Sequence, residues 1–248
     1  MIPVMSDDQI LECEGAVANG IVTKLNAVQK PGPVAVAIEM IARRVVASGN
    51  SLGVLRSCSS HDYMFDAASI LRNIYDVMLQ GLYIMQDSTK QEERAQLYLD
   101  FMHVERKQRI QLMDSSGTDL AKRISGSPKR PSAEPVIEEQ FKDVRAKYTG
   151  KTGKVRNTWY PGNLCSLATA TGLKAEYELM QKFLSGVVHS SPLTLREGPF
   201  VPDFLLIDWH WQFEFRILGA YAEYKGVMLD ETEKDLIDSA RRNVLDLG

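Results

Sequence analysis

Cysteine is scarce in this chain: Cys13, Cys58 and Cys165 are odd in number, far apart, and form no C-x-x-C pair. That pattern argues against a disulfide framework and a cysteine-based zinc site, and points to a reducing compartment. Histidine is also sparse, and no two of the four stand at a metal-ligand spacing with carboxylates, so no metal site is expected. There is no G-x-S-x-G elbow and no G-x-G-x-x-G turn, which removes hydrolase and dinucleotide-binding readings and leaves no cofactor to expect. No apolar run reaches membrane-spanning length, and the opening MIPVMSDDQ lacks a basic stretch followed by an apolar one. The expectation is therefore no membrane association and a cytoplasmic location. A net charge of −3 provides no global basic field for nucleic acid, so any such contact must come from a local patch.

What is present is ordinary globular composition, 44% hydrophobic and 25% charged over 248 residues, enough to bury one substantial core. We expect a single helical domain spanning 1–248. The charge is unevenly spread. Lys122 to Arg156 holds ten Lys/Arg against four acids, and from Asp203 onward ten acids stand against five bases.

Helix signals follow one another along the chain. Ser6-Asp7-Asp8-Gln9 is a capping box that opens a helix to about Ala27, and Lys30-Pro31-Gly32-Pro33 stops it. Pro33 suits the first turn of a second helix ending at Gly49, and the Gly/Ser-rich stretch GNSLGVLRSCSS reads as a loop. From Asp62, the residues Met64, Ala68, Leu71, Tyr75, Met78 and Leu82 recur at three- and four-residue steps, marking a buried central helix. Ser88-Thr89-Lys90-Gln91 reads as a second capping box and opens a long helix that breaks at Ser115-Ser116-Gly117. The Pro/Ser-rich stretch 126–135 reads as an exposed linker, followed by a short charged helix from Glu134 to about Tyr148. The basic and aromatic stretch 149–163 is a second exposed loop. Leu173, Tyr177, Met180, Leu184 and Val187 then form an apolar seam, and Asp230-Glu231-Thr232-Glu233 caps a last helix. In between, Ile207, Trp209, Trp211, Phe213, Phe215 and Ile217 alternate with polar residues as in a half-buried strand. A lone strand would leave its backbone unpaired, so helix is the better reading.

The run Leu71-Arg72-Asn73-Ile74-Tyr75-Asp76, the helix bearing Tyr98, and the Tyr177 to His189 helix with its Ser185/His189 pattern resemble a family of bacterial all-α proteins, domain of unknown function 5677. That family in turn resembles the HEPN superfamily of helical nucleases and nucleotide-binding modules. The resemblance covers about 55–192. It implies an all-α, HEPN-like multi-helix bundle, often dimeric, with a loop-rich region between its central and C-terminal helices and a polar pocket around Arg72 and His189. In active members of the wider superfamily an Arg followed by a His cleaves RNA without metal. Imidazole exchanges protons near neutral pH, and guanidinium stabilises charge developing on phosphate.

Several residues are candidates for that chemistry. Arg56 and His61 have the Arg-x4-His spacing, although Ser57 follows the Arg and the pair precedes a central helix. Arg72 and Asp76 stand four apart, positioned either as a structural ion pair or as an Arg held ready for a phosphate. His189 lies at a helix C-terminus, where the dipole alone favours a cation. His103 and His210 read as surface or packing residues. Gly150-Lys151-Thr152-Gly153-Lys154 fails as a phosphate loop, because Arg145 stands where the motif needs Gly and Val155 follows Lys154. Its neighbourhood, Lys151, Lys154, Arg156, Trp159 and Tyr160, sets bases beside aromatics, a composition suited to single-stranded nucleic acid.

Two functions remain open. One is a metal-independent ribonuclease or nucleic-acid-processing protein of a bacterial toxin or defence kind, with RNA as partner. The other is a non-catalytic helical module for a helical protein partner, a second copy of itself or a small ligand, with Trp209, Trp211, Phe213 and Phe215 as a surface for self-association.

Overall fold

A computed structural model describes residues 7–57, 63–116, 134–188 and 203–242. Their regular structure is helical: α1 (Asp7–Ala27), α2 (Pro33–Ser57), α3 (Tyr63–Met85), α4 (Gln91–Ser116), α5 (Glu134–Tyr148), α6 (Leu164–Ala170), α7 (Lys174–Val188), α8 (Asp203–Lys225) and α9 (Glu231–Arg241). One isolated bridge, Thr149 to Val155, is the sole β pairing among the described residues. The protein is all-α. No described helix is long and apolar enough to cross a membrane.

The packing resolves into two compact units, residues 1–91 with 164–248 and residues 92–163. In the larger unit α8 is the central element and packs on α1, α2, α3 and α9, while α3 also packs on α2, α6 and α7. Two glycines permit close helix approaches. A Cβ on Gly81 of α3 would stand 2.3 Å from Ile217 Cδ1 of α8, and one on Gly49 of α2 would stand 2.1 Å from His210 Nε2. Gly49→Ala is expected to destabilise the unit by about 2 kcal/mol, because the buried ring must move and overpacking outweighs the better helix propensity of Ala. Urea unfolding measures it, and a variant as stable as the wild type would show that the ring yields freely.

In the smaller unit α4 and α5 run antiparallel. Tyr148 Oη donates to the Leu97 carbonyl at 2.6 Å, Lys147 pairs with Asp100 at 2.6 Å and Lys107 with Glu138 at 2.6 Å. The Phe101 and Tyr148 rings meet edge to face at 5.2 Å.

Several expectations change. α2 does not end at Gly49 but continues to Ser57, because Ser48, Gly49 and Leu52 are buried and tertiary packing overrides the weak propensity of the Gly/Ser stretch. The box at Ser88 is replaced by a turn in which Asp87 Oδ1 accepts from the Thr89 backbone (3.0 Å) and hydroxyl (2.6 Å). Gln91 reaches the Met85 carbonyl instead, at 3.0 Å. The Asp230 box forms as read: Asp230 Oδ1 accepts from the Glu233 amide at 3.0 Å, and Glu233 Oε2 from the Asp230 amide at 2.9 Å. Ser6 and most of the 126–135 linker lie outside the described residues.

Residues 207–217 are helical, and the reason for their period-two pattern is visible. From Trp209 to Gly219 all but half-buried Trp211 are buried, so α8 hides its polar residues as well as its apolar ones. Trp209, Phe213 and Phe215 are therefore core, which removes the ground for reading this cluster as a surface for self-association.

Candidate functional site

On α3, Arg72 and Asp76 pair across one turn as their spacing predicts. Nε donates to Asp76 Oδ2 at 3.3 Å, and Nη2 lies 3.2 Å from Oδ1 without hydrogen-bond alignment. α7 supplies the rest of the surroundings. The guanidinium lies 5.4 Å from the centre of the Tyr177 ring. The Gln181 amide is read with its oxygen toward the guanidinium, the orientation that satisfies both groups, so that it accepts from Arg72 Nη1 at 2.9 Å and from the Tyr177 hydroxyl at 2.6 Å. Burial pushes the Asp76 carboxyl up to about 6, outweighing the opposing pull of Arg72. Arg72 is 11% exposed, and its donors are largely engaged by its own neighbours.

Arg56 falls in the last turn of α2, but its side chain lies outside the described residues, as do His61 and His189. The structure thus brings Arg72 and Asp76 together and does not describe the three other residues proposed to act with them.

A second ion pair, which the sequence reading did not find, is more deeply buried. Arg216 of α8 is 5% exposed and Glu176 of α7 is fully buried; Nη1 reaches both carboxylate oxygens, at 2.8 and 2.9 Å. Arg216 also donates through Nε to the Ala240 carbonyl at 2.5 Å and through Nη2 to the Arg242 carbonyl at 2.8 Å. One guanidinium therefore holds α7 to α8 and caps the end of α9, whose last carbonyls have no partner within the helix.

In the smaller unit, the expected nucleic-acid loop is corrected in its aromatic half. Trp159 and Tyr160 are 4% and 6% exposed, and Trp159 meets Tyr98 and Tyr160 edge to face at 5.4 and 5.5 Å. Their faces are used in packing rather than presented for stacking. Lys151 and Lys154 are exposed, and Arg156 lies over Tyr148 at 5.8 Å while donating to the Lys147 carbonyl at 3.2 Å.

A third polar cluster joins α1 and α8 against the backbone of α2. His210 and Glu214 are 4% and 2% exposed, with His210 Nε2 at 3.3 Å from Glu214 Oε2 but not aligned as a hydrogen bond. His210 Nδ1 and Glu14 Oε2 are buried without a hydrogen-bond partner. Burial, then Glu214 and Asp208, push the Glu14 carboxyl up to about 8. Buried polar atoms without partners are rare enough to mark a place of interest. The reading of His210 as a packing residue holds for its burial but missed this company. Among the described residues, no group of three His, Cys, Asp or Glu is arranged to hold a metal ion.

These features define an all-helical protein with a core held by buried polar pairs. The chain belongs to a family of unknown function (DUF5677), whose model matches residues 42–198, well over half of it. No curated protein and no solved structure matches. The matched span contains Arg72, Asp76, Tyr177 and Gln181, whereas Glu14, His210 and Glu214 fall outside it.

Proposed function

We propose that this protein is a non-catalytic helical module that takes up a small, largely apolar molecule with a polar end. The observation that carries this reading is an open cavity of about 630 Å³ in the larger unit, with Leu82, Met85, Leu173, Ala220 and Tyr224 as its apolar wall and Gln86, Gln91, Thr171, Arg216, Glu223 and Arg241 as its polar one. Its size lies in the ordinary range of small-molecule sites, and apolar walls with a few polar groups are their usual make-up. Arg241 is already paired with Glu223 at 2.5 Å, and Arg216 deeper in is engaged by Glu176 and two carbonyls. Such groups orient a polar end rather than drive a reaction. A direct test titrates octanoate into wild type and Ala220→Trp, following heat and unfolding temperature. Saturable binding by the wild type that the cavity-filling variant loses supports the reading, and no saturable binding by the wild type counts against it.

A second reading, a metal-independent ribonuclease of toxin or defence kind, draws on the resemblance to the HEPN superfamily. It is favoured by Arg72 and Asp76, an oriented guanidinium beside a carboxyl titrating near 6. In that reading Lys151, Lys154 and Arg156 guide the RNA. Purified protein is incubated with a mixed RNA pool in EDTA, alongside Arg72→Ala, His189→Ala and His61→Ala. Cleavage that one of these variants loses replaces the binding reading with the nuclease reading, whereas intact RNA removes the latter.

A further inference from the structure

A second cavity, of about 500 Å³, lies between α1, α2 and α8 and has no part in the function proposed above. Its walls are small because Gly15 and Ala16 of α1 face Gly49 and Gly53 of α2. Its polar lining is rich in acceptors. Glu12 and Glu214 contribute carboxylates, Asn19 and Asn50 contribute amides, and no Lys or Arg is among the lining residues. The Asn19 amide nitrogen is committed to the Gly15 carbonyl at 2.7 Å, which leaves its oxygen to face a ligand. His210, 96% buried, lines the same space with Nδ1 unpartnered, and Glu14, whose Oε2 is unpartnered, feels the charges of Glu214 and Asp208.

We propose that this cavity binds a small organic cation, an ammonium or guanidinium compound, whose N–H donors pair with Glu214 and Glu12 and with the lining amide oxygens. Three lines of argument converge. The lining carries two carboxylates and amide oxygens against one imidazole and no Lys or Arg, so its balance repels an anion and attracts a cation. The space is far larger than an inorganic ion needs and falls within the range for small organic ligands. No three His, Cys, Asp or Glu among the described residues are arranged to coordinate a metal. The raised affinity of Glu14 for its proton has the same origin, since burial and neighbouring acids act on it with no base among their causes.

The test uses the full chain and three probes: putrescine, its neutral isostere 1,4-butanediol, and magnesium chloride at matched ionic strength. Calorimetric titration and thermal unfolding are recorded for wild type, Glu214→Gln and Gly53→Leu. Gly53→Leu is the decisive variant, because a Cβ there meets nothing within 4 Å, so the new side chain enters the cavity and leaves the helix sound. Putrescine is expected to bind saturably at one site and raise the unfolding temperature, while the diol and magnesium do not. Each variant is expected to weaken putrescine by at least about tenfold, the difference that about 1.4 kcal/mol makes. The proposal is overturned if putrescine does not bind saturably to the wild type, if the diol or magnesium stabilises equally, or if folded Gly53→Leu binds putrescine unchanged.

Discussion

Glu176→Gln is expected to lower the unfolding temperature of the larger unit by about 10 °C. The substitution keeps size and shape and removes only charge, which leaves the Arg216 guanidinium buried with two carbonyls and a neutral amide for company. Breaking a buried pair on one side typically costs about 3–5 kcal/mol, because the surviving charge has lost its compensation. For a chain of this size each kcal/mol moves the midpoint by about 2–4 °C. The control is Glu176→Leu with Arg216→Met. It removes both charges together and is expected to recover a large part of the loss, the remainder being the α9 carbonyls of Ala240 and Arg242 left without their donor. Differential scanning calorimetry on the three proteins reads this directly. A Gln variant melting within about 2 °C of the wild type would mean that water reaches Arg216 and that the pair is less dry than its burial implies.

The same pair shows where sequence reasoning stops. Three- and four-residue steps marked α3 and α7 well, since in each the buried residues recur at those steps while residues between them stay partly exposed, and periodicity reports that unevenness. α8 is buried on nearly every side, so its pattern carries no helical period and looks like a strand. Nothing in that run says that Arg216 meets Glu176, 40 residues earlier, or that His210 meets Gly49 and Glu214 close to Glu14. Local pairs such as Arg72 with Asp76 and the Asp230 box with Glu233 were legible because both members lie within one turn. The loop reading of 49–60 fails over its described part, 49–57, for a related reason. Gly49 and Gly53 look like helix breakers in isolation, yet Gly49 lets α2 approach α8 and both line the second cavity.

Glu14 carries the clearest expectation for pH. An ordinary glutamate titrates near 4.5, and burial with neighbouring acids raises Glu14 to about 8. Between those values the folded protein holds a proton that the unfolded chain has released, so folding is favoured at low pH and stability falls as pH rises through that window. The charged groups that act on it are Glu214 and Asp208 of α8. Each pH unit across that window is worth about 1.4 kcal/mol, so a few kcal/mol are lost between acid and mildly alkaline solution. Glu14→Gln imitates the protonated form and does not titrate. Its advantage over the wild type is expected to be near zero at about pH 4.5, to grow steadily above it, and to level off beyond about pH 8. Urea midpoints for both proteins at pH 5, 7 and 9 test this. A constant difference across that range would mean that the Glu14 carboxyl is hydrated in solution and that the acidic cluster is open to water. A difference that grows with pH and shrinks when putrescine is added would tie the strain at Glu14 to the cation proposed for the cavity beside it, because a ligand bound only by the folded state offsets what the acids cost one another.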